Sequence, residues 1–116
     1  MSVFSGDVKD TMLDALTADE VQLHDGDPGS SGTANRVGGG DGEEPATFAA
    51  ASDGSRNLDA NVQFTDLPSE QTITWISVWG VGTFEGKAEI SQGDTQANVA
   101  GEFTVTTDTA LEINDP

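Results

Sequence analysis

From residue 58 to the end of the chain, apolar and polar positions alternate in short runs. Leu58, Ala60, Val62 and Phe64 carry the period-two pattern of a strand with one buried face. Residues 72–79 (TITWISVW) are rich in β-branched and aromatic side chains on both faces, as expected of a central strand covered on both sides. Phe84, Gly86, Ala88 and Ile90 alternate with Glu85, Lys87 and Glu89, which predicts a strand with one wet face. Gln92-Gly93-Asp94 reads as a turn, and Ala97 and Val99 belong to the next predicted strand. Gly101 opens another, in which Phe103, Val105 and Thr107 alternate, and Leu111 with Ile113 closes the chain.

The first half is less regular. Val8, Met12 and Leu16 recur at i, i+4 and i+8 beside Ala15, which predicts one amphipathic helix over residues 5–18 with that stripe on the core or at an interface. Ser5 is its expected N-cap, and Asp7 suits the positive end of the helix dipole. Val21 to His24 reads as a strand running into the turn-rich segment 25–32. Residues 35–45 (NRVGGGDGEEP) read as a long mobile loop, and 47–51 (TFAAA) as a short strand ahead of a turn at Asp53-Gly54. Short strands at ~8–12-residue spacing, with no repeat of longer period, point to a mainly β fold. The expectation is one antiparallel β-sandwich or partial barrel over residues 1–116, preceded by an N-terminal helix.

Composition narrows the function classes. Leu, Ile, Val and Phe make up 24 of 116 residues, so the core is thin and the alternation, rather than apolar content, argues for folding. Twenty-one Asp and Glu against four Lys and Arg give a formal net charge of −17. Lys9, Arg36, Arg56 and Lys87 cannot form the basic patch that phosphate contacts demand, and the charge opposes docking on an anionic membrane. No apolar run reaches the ~20 residues of a spanning helix, so neither nucleic acid nor membrane insertion is expected. Two lysines, more Asp (13) than Glu (8) and small core residues resemble proteins of salt-loving microbes. Concentrated salt would screen the carboxylates, the Debye length being ~3 Å at 1 M.

Candidate chemistry is sparse. There is no cysteine, hence no thiol nucleophile, thiolate metal site or disulfide. His24, the one histidine, precedes Asp25 and Asp27, but the serines near it lie in a Gly-rich turn without a nucleophile elbow. We read it as a strand-end histidine bonding the adjacent turn. Asp25-x-Asp27 starts like a calcium loop, but Gly29 and Arg36 stand at the fifth and twelfth positions. Asp25 and Asp27 are thus the metal candidates, calcium being the only cofactor left open, with Asp41, Glu43, Glu44 and Asp53 as an alternative donor set from separate loops. Glu43-Glu44 and Glu85/Glu89 are the pairs a glycosidase reading would use, and in so acidic a chain such pairs arise by chance. Trp75 and Trp79 share a strand face and are expected in the core or a subunit interface, with stacking on a sugar as the rival role. No catalytic residues are expected.

The order of these motifs resembles a family of small tail fibre or minor tail proteins of tailed viruses. The resemblance rests on Met12-Leu13-Asp14-Ala15-Leu16-Thr17, then Leu23 to Gly32 with Asn35, Val37, Gly38 and Gly39. It continues through residues 47–52 (TFAAAS), Phe64, Pro68 and residues 72–80 (TITWISVWG). Gly82, Phe84, Gly86, Ala88, Gly93-Asp94-Thr95, Ala100-Gly101 and residues 103–108 complete it. It implies a virion structural component in contact with other virion proteins; the acidic composition adds a halophilic system, the lack of a catalytic constellation a non-enzymatic role, and the thin core a homo-oligomer. Capsid decoration, or a module binding a host-surface glycan or surface layer, is the alternative. The Gly-rich loops at 25–45 would then face outward or touch a neighbour.

Overall fold

A computed structural model describes residues 5–90, 95–107 and 109–112. The turn expected at 92–94 and Ile113 lie outside the described residues.

Strand β1 (Glu20–His24) puts Val21 and Leu23 on one face and Glu20, Gln22 and His24 on the other. In β5 (Trp75–Gly80), Ile76 and Val78 oppose Trp75, Ser77 and Trp79 in the same way. The two strands pair antiparallel from Glu20↔Trp79 to His24↔Trp75, so like faces coincide. Strand β2 (Glu43–Pro45) extends the sheet beyond β1 and β6 (Thr83–Glu89) beyond β5, giving the order β2-β1-β5-β6. Val21, Leu23, Ile76 and Val78 are fully buried on the inner face.

Two two-stranded ladders complete the architecture. Strand β4 (Val62–Phe64) pairs with β7 (Phe103–Val105), and β3 (Ser55–Asn57) with β8 (Ala110–Glu112). Val62, Phe64, Phe103 and Val105 turn inward and join the sheet's inner face in one core, while Gln63 and Thr104 stay outside. The fold is mainly β with antiparallel pairing and one N-terminal helix, sandwich-like rather than a closed barrel.

The helix, α1 (Gly6–Asp14), is shorter than its apolar pattern predicts and docks on a different face. Ser5 caps it as expected, its hydroxyl accepting from Val8 N at 3.2 Å. Its attachment is largely polar. Asp10 accepts from Gly54 N and Asp14 from Ala51 N, each at 2.8 Å, while Arg56 Nη1 donates to the carbonyls of Leu13 and Leu16. Asp10, Leu13 and Asp14 therefore face inward. At 100° per residue, Val8 and Met12 fall on the opposite side, 46% and 42% exposed. Of the stripe expected on the core or at an interface, Val8 and Met12 thus point outward, and only Leu16 rests partly against the core.

Three loop readings are also corrected. Residues 47–51 form no strand; Phe48 makes a single bridge to Leu58, and β4 begins only at Val62 after a bend. Residues 35–45 are ordered by the bridge Arg36↔His24, a 3-10 helix over Gly39–Gly42, and β2. Val99 is not in a strand but 75% exposed, in a turn closed by Gly101 N donating to Asn98 O at 3.0 Å.

Candidate functional site

The outer face of the four-stranded sheet gathers the chain's most chemically distinctive side chains. Cross-strand pairs place His24 beside Trp75, Gln22 beside Ser77 and Glu20 beside Trp79. In β6, Gly86 opposes Val78 whereas Phe84 opposes Trp79, so Glu85 is an extra residue at a β-bulge. The bulge turns Phe84 outward onto Trp79, with ring centroids 5.5 Å apart, although Ala88 and Ile90 of the same alternating run pack on the core. Glu85, released from the ladder, accepts hydrogen bonds from Thr17 N (3.0 Å) and Ala18 N (2.7 Å).

The segment 25–36 lies over this face. Its base is held by Asp25 N to Asn35 O (2.9 Å) and Val37 N to Leu23 O (3.1 Å). Gly32 packs directly on the Phe84 ring at φ +75°, leaving no room for a Cβ. Lys87 Nζ binds Asp27 Oδ1 at 2.7 Å and sits 5.7 Å from the Trp75 ring centre, while the Arg36 guanidinium stands 5.4 Å above Trp79. The hydrogen bond from Lys87 holds the Asp27 carboxyl below its usual value, with Gly29 N adding to the effect. Strand β5 is thus covered on both sides as its sequence predicts, and the second cover is this glycine-rich segment. Trp75 and Trp79 are half-buried beneath it and are not part of the core.

His24 and Ser77 are both fully buried, and their hydrogen bonds define the tautomer. Nδ1 lies 2.7 Å from Ala34 O, a carbonyl that only accepts, so Nδ1 carries the proton. Nε2 of the neutral ring then accepts from the Ser77 hydroxyl at 2.7 Å, and Trp79 Nε1–H donates to Ser77 Oγ at 2.8 Å. Burial holds the His24 pKa below its ordinary value, with Arg36 acting in the same direction against the Ala34 carbonyl and Asp25. A serine hydroxyl on a histidine nitrogen is the geometry of a nucleophile and its base, with a carbonyl in the orienting position. Here the hydroxyl is enclosed and also holds an indole, so the relay fastens the segment 25–36 to the sheet.

The sequence located His24 and its bond to the adjacent turn, but not Ser77, which lies 53 residues away. The readable signal was a small hydroxyl between two tryptophans on one strand face, Trp75-x-Ser77-x-Trp79. No family model, curated protein or solved structure matches this chain.

The acidic candidates do not converge. Asp25 is exposed, and Asp27 is engaged by Lys87 and Gly29. Among the described residues no group of three or more His, Cys, Asp or Glu is placed to hold a metal ion. An open groove of ≈ 350 Å³ lies on the outer side of the β4–β7 ladder, lined by amide and hydroxyl side chains including Gln63, Asn98 and Thr104. Within the described residues no helix is long and apolar enough to cross a membrane.

Proposed function

We propose that this protein is a structural subunit of a tailed virus particle from a halophilic system, a small tail or tail-fibre-type component that acts by self-assembly and surface presentation. The observation that carries this reading is the outward stripe of Val8 and Met12. The helix is fastened to its own domain by Asp10, Asp14 and Arg56, which leaves these two apolar side chains for burial by a neighbouring copy. The order of motifs along the chain supports it, and so does the net charge of −17, which suits assembly in concentrated salt. In this reading the segment 25–36 is a rigid surface feature, because its ion pair, cation–π contacts and buried histidine bond tie it down.

Light scattering in molar KCl tests the assembly step. The full chain is expected to self-associate with rising concentration, and Met12→Glu to remain a folded monomer. A wild-type protein that stays monomeric at every concentration would remove the role of the helix stripe. Mass spectrometry of gradient-purified virus particles from the source tests the location, and particles lacking this chain would exclude the virion assignment.

A further inference from the structure

We propose that residues 25–36 form an acid-released strap: protonation of His24 lifts the segment from the sheet and uncovers Trp75, Trp79 and Phe84. The direction of each hydrogen bond in the relay carries this inference. Nδ1 already donates to the Ala34 carbonyl, so an added proton goes to Nε2, 2.7 Å from Ser77 Oγ. Ser77 Oγ then faces two donors, this Nε2–H and the Trp79 indole N–H at 2.8 Å. The hydroxyl proton that His24 had accepted is left, among the described residues, without an acceptor.

The added charge is also uncompensated, because the imidazolium meets only a carbonyl and a hydroxyl. On the segment, Arg36 opposes His24 in their bridge, Asp27 is bound to Lys87, and Asp25 is exposed. On β6, Lys87 opposes Ser77, Glu89 stands beyond Trp75, and Glu85 is held by the Thr17 and Ala18 amides. On β1 and β2, Glu20 and Glu43 accept from Gln22 Nε2 at 2.7 and 3.0 Å. Strand β5 adds no charged side chain. Burial and Arg36 outweigh the Ala34 carbonyl and Asp25, so the closed fold resists the proton.

Water can reach such a charge from one side alone. The far face of β1 and β5 is the core, and the segment 25–36 covers the near face. The segment's other ties yield more easily. The Lys87–Asp27 pair is exposed and screened by salt, and Gly32 meets Phe84 by contact alone. The segment is therefore rigid while His24 is neutral and lifts when a buried cation would otherwise result. A strap that refuses the proton when closed and takes it at the ordinary 6.5 when open shifts toward opening about tenfold per pH unit below that value. The inference does not depend on the virion reading.

The test follows tryptophan emission and its quenching by acrylamide in the full chain, in molar KCl, from pH 8 down to about pH 5. We expect a reversible red shift and increased quenching below pH 6.5, with the far-UV circular dichroism unchanged, and neither change in His24→Gln. Emission that stays constant over this range would overturn the proposal, as would a shift that accompanies loss of secondary structure or that His24→Gln reproduces. Should His24→Gln fail to fold, the wild type decides through the NMR titration of its one histidine. A ring titration that shares its midpoint with the emission change supports the strap, and separate midpoints overturn it.

Discussion

His24 Nε2 and Ser77 Oγ, 53 residues apart in sequence, meet at 2.7 Å with neither side chain open to solvent. The contact joins β1 to β5 on the face away from the core, and through Nδ1 it reaches the Ala34 carbonyl of the overlying segment. One hydroxyl therefore couples sheet, loop and the Trp79 indole. Removing it leaves a buried imidazole acceptor unmet. Ser77→Ala should lower stability by about 1–3 kcal/mol, measured by denaturant unfolding in molar KCl. An unchanged unfolding midpoint would mean that the relay contributes nothing.

Acidification tests the same histidine. Its pKa in the fold lies below the ordinary 6.5, so between the two values the unfolded chain holds a proton that the native state refuses. The stability contributed by the neutral ring is complete above about pH 6.5 and is lost as the pH falls below it. The melting temperature of wild type should drop below that pH relative to His24→Gln, which lacks the titration. Parallel curves for the two proteins down to pH 5 would contradict a buried neutral imidazole.

Gly32 is where the overlying segment comes nearest to the sheet. A methyl group there meets the Phe84 ring, and the backbone sits at φ +75°. Gly32→Ala should cost about 1–3 kcal/mol and shift the tryptophan fluorescence as the segment lifts from the aromatic face. Gly39→Ala shares a positive φ but has nothing within 4 Å of its Cβ, so its fluorescence should stay as in wild type. Matching spectra for both variants would show that the segment is not packed on Phe84.

The placement of the tryptophans yields a paired comparison. Phe64 is fully buried in the core, and Phe64→Ala should cost about 3–5 kcal/mol. Trp75 is only half-buried on the outer face, so Trp75→Ala should cost clearly less and leave a folded protein. Thermal melts of the two variants decide it, and equal losses would return Trp75 to the core.

What was legible in the sequence was local. Ser5 as a helix cap, the alternation in β1 and β7, and the central position of β5 with apolar groups on both faces all follow from residue type and period. Those signals report backbone preference and side-chain direction relative to immediate neighbours. The sequence also located His24 and predicted its bond to the adjacent turn. The tertiary structure decided which face each element buries. Val8 and Met12 form a regular apolar stripe, yet Asp10 and Asp14 turn the helix inward because they satisfy the amides of Gly54 and Ala51. Phe84 belongs to an alternating run, yet the bulge at Glu85 sends it to the other face, where Thr17 and Ala18 amides hold the released carboxylate. Ser77 met His24, and Gln22 met Glu20 and Glu43, only through strand pairing. Period and propensity fix how a strand divides its side chains. Register and the hydrogen-bonding needs of distant backbone groups determine which of them meet.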